Sequence, residues 1–331
     1  MKTKRIVYIG NHLQGSDRNI TTIGTLSAQL SELGYAVRIF SSRKNKLVRL
    51  LHMLLGVLRF GRGSQLVLID TYSTQNFYYA VAVGNLCRLL RIPYVPILHG
   101  GNLPERLQKN RSQAYKLFHG AKTNVAPSGF LMDAFASEGY KNLTHIPNTF
   151  DLDQYSFLLR KSIRPKLLWV RAFADIYNPM LAIEALEALL KHYPDASLCM
   201  VGPDKDGSLA ECEAYAISKN LPVTFTGKLS KNAWRDLSVK YDIFLNTTNF
   251  DNTPVSVMEA MALGMPVVST HVGGIPYLVT DDVDGILVPP DNKEAIVSAV
   301  RALCAQAEKG EALSRAARKK VEAFDWEIVK H

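Results

Sequence analysis

The sequence lacks the features of disulfide-rich, membrane-spanning and secreted proteins. Its 331 residues include four cysteines, with no CxxC pair and no disulfide-rich spacing. This excludes a disulfide scaffold and fits a reducing compartment, in which the thiols serve as small core residues. No uncharged apolar run reaches the ~18 residues of a membrane span, and no apolar h-region follows the opening MKTKR. We therefore expect neither a spanning helix nor a secretory signal.

Motifs for several common chemistries are also missing. The chain has no GxGxxG fingerprint, no P-loop and no Gly-x-Ser-x-Gly elbow, which argues against a nicotinamide cofactor, a P-loop nucleotide site and a serine hydrolase. Its eight histidines form no His-x-x-x-His or similar ligand cluster, so we expect no metal. Neither zinc-finger spacing nor an aromatic RNA-binding motif is present, so nucleic acid is not an expected partner.

The charge is unevenly distributed along the chain. Residues 1–150 hold 19 Lys/Arg and 6 Asp/Glu, a net +13, whereas residues 151–331 hold 20 and 24, a net −4. Such asymmetry predicts that the first half faces something anionic. An acidic membrane surface and a phosphorylated small molecule both qualify.

Short apolar runs alternate with helical patterns throughout the sequence, which predicts an α/β fold with parallel strands. The periodicity breaks around 148–166, so we expect two doubly wound, Rossmann-like domains in tandem, with a ligand cleft at the carboxyl ends of their strands. The expected strands are 5–9, 36–40, 66–70, 94–98, 122–126, 166–170, 197–201, 222–226, 242–246, 266–269 and 285–288. The expected helices include 20–33, 75–91, 128–138, 179–192, 208–219, 230–239, 254–263 and 292–307.

Residues 246–276 carry the strongest functional motif. Pro254 stands where a helix would begin, and its fixed φ suits the first turn. Free amides at such a helix start, together with the helix dipole, form an anion site. Asp251 could then bond a sugar hydroxyl, and Glu259 a ribose diol. For the two carboxylates alone, an exposed Asp and a solvated Glu are the simpler interpretation. The amides expected to be free are those of Val255, Ser256 and Val257.

The pattern around these residues favours the functional interpretation. Asp-x-x-Pro-x-x-x-x-Glu-Ala-x-Ala-x-Gly-x-Pro-Val-Val, starting at Asp251, resembles the E-x7-E region of retaining GT-B glycosyltransferases, in particular glycosyltransferase family four. Gly273-Gly274-Ile275-Pro276 resembles the next loop of that family. Asp251 stands where the family usually has a Glu, and Tyr277 where a Glu often follows. The resemblance is strong over 165–300 and weaker over 1–150.

The resemblance implies a GT-B fold, with residues 1–150 binding the acceptor and 151–316 binding a nucleotide sugar. It further implies a C-terminal helix in 317–331 that crosses back to the first domain. The expected reaction moves a sugar from a nucleotide diphosphate donor to a hydroxyl of a glycan or lipid-linked glycan, with retention and without a bound metal or cofactor. Such a reaction fits cell-surface polysaccharide synthesis in the cytoplasm.

Further candidate residues follow from the same resemblance. His99, at a strand end before Gly100 and Asn102, is similar to a histidine near the transferred sugar, although a structural hydrogen-bonding role is also open. The loop at 10–19 is expected between the domains, at donor and acceptor, with a plain surface loop as the alternative. The candidates in that loop are Gly15, Asp17 and Arg18.

The basic residues expected at the donor diphosphate depart from the family pattern. In WVRAFADIYNP at 169–179, Arg171 replaces a Gly, Ala172 an Arg and Tyr177 a Lys. Arg171 would supply the cation, one position before the usual Arg. Its planar guanidinium suits phosphate because it can donate two hydrogen bonds at once. Lys228 is the candidate substitute for the missing Lys, with an exposed loop lysine as the alternative.

The segment 43–62 is unusually apolar and basic. Ten of the fourteen residues in 47–60 are large and apolar, so the polar arc of this helix is narrow. Two interpretations stay open: a crossover helix packed on the sheet, or a helix lying in the interface of an anionic membrane at the inner face of the cell membrane. The expected membrane contacts are Arg43, Lys44, Lys46, Leu50, Leu54 and Leu58.

Two other functions remain compatible with the sequence. A nucleotide-sugar 2-epimerase shares the architecture but needs no separate acceptor. A non-catalytic nucleotide-sugar-binding descendant would explain the missing Lys and the replaced first Glu.

Overall fold

The computed structural model describes residues 4–10, 22–40, 42–43 and 45–331. The chain divides into two compact units, Met1–Ile146 and Pro147–His331. This boundary lies four residues before the expected division at 150. Residues 317–331, expected to return to the first domain, group with the second unit.

The first unit contains one parallel sheet with strand order β2-β1-β3-β4-β5-β6. Because β2 and β3 lie on opposite sides of β1, the chain reverses its direction of winding between β1 and β3, where open α/β sheets bind ligands. The strands are β1 (Arg5–Ile9), β2 (Ala36–Phe40), β3 (Leu66–Tyr72), β4 (Tyr94–His99), β5 (Asn124–Ala126) and β6 (Leu143–His145). The helices are α1 (Thr22–Glu32), α2 (Lys46–Phe60), α3 (Asn76–Leu89), α4 (Leu103–Lys109), α5 (Arg111–His119) and α6 (Gly129–Ser137).

The second unit repeats this architecture with strand order β12-β11-β10-β7-β8-β9. Its winding reverses between β7 and β10. The strands are β7 (Lys166–Val170), β8 (Ser197–Val201), β9 (Val223–Gly227), β10 (Ile243–Asn246), β11 (Val267–Thr270) and β12 (Ile286–Val288). The helices are α7 (Pro179–Leu190), α8 (Ser208–Ser218), α9 (Lys231–Ser238), α10 (Val255–Ala262), α11 (Ile275–Leu278), α12 (Lys293–Ala305), α13 (Ala307–Glu322) and α14 (Trp326–Val329).

Helix α10 is held in the second unit by packing that buries almost all of its residues. Seven of its eight residues are buried, and Ala317 and Val321 of α13 join the same apolar cluster. Arg318 adds a polar contact, since its Nη1 donates to the Ala262 carbonyl at 2.8 Å. The start of α10 is therefore fixed at the carboxyl edge of the sheet.

The C-terminal segment is tied into the second unit through its backbone. Phe150 and Asp325 form a parallel bridge, and the Trp326 amide donates to the Phe150 carbonyl at 3.2 Å. The Asp325 carboxylate also accepts from the Leu152 amide at 3.0 Å. These contacts join the chain end to residues just after the boundary at 146.

Candidate functional site

Arg171 and Asp251 meet at the winding reversal of the second sheet. Arg171 directly follows β7, and Asp251 lies in the loop after β10. The Arg171 guanidinium donates to the Asp251 carboxylate, and both side chains are largely buried. Burial lowers the pKa of Arg171, but a guanidinium remains charged at neutral pH. The predicted cation and the predicted carboxylate thus form one ion pair.

Two glycines allow the loop after β11 to pack against the backbone at Asp251. Gly273 has a left-handed φ of +52°, and a Cβ there would overlap the Asp251 carbonyl. A Cβ on Gly274 would overlap the Asn252 carbonyl in the same way. The Gly274 amide donates to the Asp251 carbonyl at 2.9 Å. The Gly-Gly motif found in the sequence is therefore required by close backbone contact.

The start of α10 leaves polar groups without partners. Pro254 precedes the helix with extended backbone and offers no side-chain cap. Within the described residues, the amides of Val255 and Ser256 have no acceptor. The expectation for Val257 was wrong: its amide donates to the Pro254 carbonyl at 3.1 Å, because the first turn closes tightly. The Ser256 hydroxyl is buried without a hydrogen-bond partner. Unpaired donors beside a helix start favour an anionic ligand.

Glu259 is the buried carboxylate of this site. It is only 4% exposed, and its Oε1 accepts from the Tyr155 hydroxyl at 2.6 Å and lies 3.0 Å from Lys231 Nζ. Burial and the nearby charge of Glu259 raise the pKa of Tyr155, which stays a phenol and a donor. Glu259 is thus neither exposed nor freely solvated, as the simpler interpretation of the motif would require.

The sequence did not identify two residues that contact Glu259. Tyr155 follows a short 3-10 turn, Leu152–Gln154, and Lys231 opens α9 after the Ser230 cap. Neither belongs to a motif, and both reach Glu259 only through tertiary folding. Lys228, the lysine selected from the sequence, lies exposed between β9 and α9.

A second polar cluster lies at the winding reversal of the first sheet. His99 ends β4, and its Nε2 lies 2.9 Å from Asp70 Oδ1 in β3. The Tyr8 hydroxyl of β1 donates to the same oxygen at 2.9 Å. Gly100 follows with a left-handed φ of +79°, and Asn102 precedes α4. A small recess lies beside Asp70, lined by residues of the sheet and of helices α2 and α3.

Gly15, Asp17 and Arg18 lie outside the described residues. In the part of the chain that the structure describes, no group of three His, Cys, Asp or Glu side chains is arranged to hold a metal ion.

Helix α2 packs on its own unit through a mixed face, formed by Arg49, Met53, Gly56 and Val57, while Arg59 of its polar arc is exposed. Arg49 and Gly56 are buried, and a Cβ on Gly56 would lie 2.5 Å from the Phe40 ring. Arg49 Nε donates to the Arg43 carbonyl at 2.7 Å. The opposite, apolar face is exposed. The exposed residues, with their exposed fractions, are Leu47 (74%), Val48 (48%), Leu51 (59%), Leu55 (61%) and Leu58 (52%).

This orientation corrects part of the expected membrane face. Leu50 and Leu54 are half-buried, and Leu54 packs on the core of the first unit, because the helix uses that side to cover the sheet. Leu58 and Lys46 are exposed as expected, whereas Lys44 lies outside the described residues. None of the helices described is long and apolar enough to cross a membrane.

Residues 156–320, about half of the chain, match the family model of glycosyl transferases group 1. The chain is 29% identical over 148 residues to the sulfoquinovosyl transferase SQD2 of Arabidopsis thaliana, which is 44% of this chain and 28% of that protein. It is 25% identical over 278 residues to the amylovoran biosynthesis glycosyltransferase AmsK of Erwinia amylovora, which is 75% of this chain and 64% of that protein. The chain thus spans less than two thirds of either relative.

The fold is similar to that of a solved structure over nearly its whole length. The crystal structure of Anabaena Alr3699/HepE in complex with UDP-glucose matches with a TM-score of 0.77, covering 98% of this chain and 96% of that chain at 18% identity. At this identity the match concerns the fold. It confirms the expected α/β fold class of two Rossmann-like domains, the GT-B fold.

Proposed function

The second domain belongs to the glycosyl transferases group 1 family, and from this premise we propose that the protein transfers a sugar from a nucleotide diphosphate donor to a hydroxyl acceptor. The observation that carries the proposal is Glu259, a buried carboxylate on a helix whose first amides have no acceptor among the described residues. One site thus offers an acceptor for a diol and donors for an anion. A nucleotide diphosphate sugar needs both.

Each group of the site has a distinct role in the proposed reaction. Glu259 would accept from the ribose hydroxyls, and the amides of Val255 and Ser256 would hold the diphosphate. Arg171 would add a cation beside them, and Asp251, which it positions, would accept from a sugar hydroxyl. His99, in the first domain, would bond a further sugar hydroxyl.

The chemical step breaks the anomeric C–O bond to the diphosphate. Negative charge grows on the leaving phosphate while the sugar gains oxocarbenium character. Donors fixed before the reaction stabilise that charge without reorganisation. We further propose retention without a metal ion, on the basis of the family resemblance, with the donor phosphate taking the acceptor proton.

The acceptor is proposed to be a glycan or lipid-linked glycan of cell-surface polysaccharide synthesis in the cytoplasm. Two observations support this choice. A relative covering 75% of this chain is named for amylovoran biosynthesis, and the first 150 residues carry a net charge of +13, which suits an acceptor bearing phosphate.

The first experiment is a thermal-shift and calorimetric screen of UDP-, GDP-, ADP- and TDP-sugars against the full chain, because a bound ligand stabilises the fold. Replacing Glu259 by Gln keeps the side chain's size and removes its charge. We expect nucleotide-sugar affinity to fall about 10- to 100-fold, the value of one hydrogen bond to a charged group. The matched control is Glu294→Gln, an exposed carboxylate in α12 of the same domain.

The outcomes separate the proposed transferase from its alternatives. Failure of every nucleotide sugar to bind, or equal binding by the Glu259→Gln variant, would refute the proposed site. Conversion of the sugar nucleotide without acceptor would indicate an epimerase. Binding without transfer to any extracted glycolipid would indicate a non-catalytic descendant.

We also propose that the exposed face of α2, formed by Leu47, Val48, Leu51, Leu55 and Leu58, lies on an anionic bilayer. A contiguous apolar face on a surface helix marks an interaction site. The flanking charge favours lipid headgroups as the partner: from residue 33 to residue 69 the sequence has seven basic residues and no acidic one. The half-buried side of the helix remains packed on its own domain.

Vesicle co-sedimentation tests this surface. We expect the full chain to bind vesicles containing phosphatidylglycerol, to bind neutral vesicles less, and to lose binding in a Leu51→Ser/Leu55→Ser variant. The control is Leu89→Ser, which removes a leucine that is 79% exposed at the end of α3. Binding unchanged by the double substitution would contradict the proposal. Sedimentation velocity gives a second way to contradict it. If the full chain is a dimer and the double variant a monomer, the face binds a second copy of the chain and not a bilayer.

A further inference from the structure

The side chain of Asp70 is placed by the sheet to reach the ring of His99. Strands β3 and β4 are parallel neighbours, with Tyr72 paired to His99 and Asp70 to Ile97. Asp70 and His99 are therefore diagonal neighbours across the two strands, within reach of a long side chain. Their contact joins Asp70 Oδ1 and His99 Nε2 at 2.9 Å.

Asp70 is a buried carboxylate with few compensating contacts. Its side chain is 1% exposed, and within the described residues no Lys or Arg pairs with it. Its Oδ1 accepts from Tyr8 and His99, whereas its Oδ2 is buried without a hydrogen-bond partner. Burying a carboxylate is unfavourable unless it is bonded and paired. If this position served packing alone, an apolar side chain there would give a more stable fold than an aspartate.

The arrangement fixes which nitrogen of His99 carries a proton. A carboxylate can only accept, so the contact at Nε2 requires a proton on that nitrogen. Nδ1 has no partner in the described part of the chain and keeps its lone pair in the neutral ring. Burial and the charge of Asp70 also raise the pKa of Tyr8, so its phenol stays a donor to the carboxylate. The Tyr72 ring stacks on the His99 ring at a centroid distance of 4.7 Å and limits its rotation.

Gly10, at the end of β1, completes the enclosure of the carboxylate. A Cβ at this position would overlap Asp70 Oδ2 and lie 2.8 Å from Asp70 Cγ. The lack of a side chain at Gly10 thus leaves the space that the Asp70 carboxylate occupies. This contact offers a second way to move Asp70 without changing its chemistry.

We propose that Asp70 is a positioning residue that holds His99 in the Nε2–H form and leaves Nδ1 to accept from a hydroxyl of the sugar substrate. This role rests on the proposed function, because His99 would contact the substrate only if the protein transfers a sugar. Asp70 itself does not contact the substrate.

The test combines a spectroscopic and a kinetic measurement on the full chain. Long-range ¹H–¹⁵N correlation spectra of protein labelled at histidine report which ring nitrogen is protonated, and a His99→Gln variant assigns the signal. The kinetic probe is hydrolysis of UDP-glucose, or of whichever nucleotide sugar raises the melting temperature most. The variants are Asp70→Asn and Gly10→Ala, with Glu105→Gln, an exposed carboxylate of α4, as control.

We expect wild-type His99 to show a single form protonated at Nε2, and both variants to show a mixture. The kcat should fall about tenfold or more while KM changes less than about twofold, as when an oriented histidine loses its partner. A wild-type ring protonated at Nδ1 would overturn the proposal even if no variant folds. Unchanged kcat in a folded Asp70→Asn variant would also overturn it. Failure of wild type to bind any nucleotide sugar would instead refute the proposed function.

Discussion

Arg160 allows a quantitative test of how the second domain holds α10. Its guanidinium is buried, with the residue 5% exposed, and it donates to backbone carbonyls rather than to a carboxylate. Several of these carbonyls lie at or just beyond the C-terminal ends of α9 and α10, where backbone groups lack partners within the helix. The acceptors are the carbonyls of Tyr241 (2.9 Å), Leu158 (2.9 Å), Leu263 (3.2 Å), Gly264 (3.0 Å) and Ser238 (3.0 Å).

The change is Arg160→Met, which keeps most of the aliphatic stem and removes the donors. Nη1 has two N–H groups but faces three of these carbonyls, so the guanidinium makes at most four full bonds. Four bonds from a charged donor contribute about 1.5 kcal/mol each at the lower end of their range. Burial lowers the pKa of Arg160 to about 10, a shift that corresponds to about 3 kcal/mol and opposes burying the charge. The net loss in the free energy of unfolding is then about 3 kcal/mol. For a domain of this size, the melting temperature should fall by about 6–12 °C.

Tryptophan fluorescence during urea unfolding measures this loss in the correct domain. All three tryptophans, Trp169, Trp234 and Trp326, lie in the second unit. The control is Arg164→Met, which removes an ion pair of 3.2 Å to Asp242 from a side chain that is 57% exposed. Asp242 is buried but keeps the bond from the Arg164 amide at 3.0 Å in this variant, and a pair with one exposed partner should contribute only about 1 kcal/mol. A loss below about 1 kcal/mol for Arg160→Met, or an equal loss for both variants, would refute the reasoning.

Two further substitutions probe the ligand site itself. Ser256→Ala removes a buried hydroxyl without a partner. The free energy of unfolding should therefore be unchanged or slightly higher, while nucleotide-sugar affinity falls severalfold. A marked loss of stability in urea unfolding would contradict this prediction. Gly274→Ala should separate the loop from Asn252, where its Cβ would overlap the carbonyl, and lower both stability and affinity, measured by melting and calorimetry. The matched control is Gly227→Ala, because a Cβ there meets no atom within 4 Å. It should lower the free energy of unfolding by only about 1 kcal/mol, from backbone strain at a positive φ. Equal affinity losses for Gly274→Ala and Gly227→Ala would exclude the steric explanation.

The sheet strands were largely predictable because each is a short apolar run. The expected strands at 5–9, 36–40, 166–170 and 197–201 coincide with β1, β2, β7 and β8. Strand β6 was missed, since its three residues are exposed or half-buried and carry no apolar pattern. Helices α4 and α5 were also missed, because the chain breaks at Asn110 (φ −126°, ψ 44°) and leaves each too short for a clear periodicity.

The candidate site was predictable only where its residues share one local motif. The spacing of Asp251, Pro254 and Glu259 located the helix start, because a helix places its own residues by rise and turn alone. The contacts that define the site join residues far apart in the chain. Arg171 meets Asp251 across 80 residues, and Tyr155 meets Glu259 across 104. No local pattern encodes such pairs.

The sequence by itself determined two Rossmann-like domains, the helix beginning after Pro254 and the apolar character of α2, because these follow from periodicity and from the fixed geometry of proline. Only the tertiary structure decided which leucines of α2 are exposed and which pack on the core, that Asp70 contacts His99, and that Lys231 reaches Glu259. These depend on which side chain fills the space beside another: Gly56 admits the Phe40 ring, and β3 lies next to β4. Such complementarity is a property of the packed chain, not of any one segment.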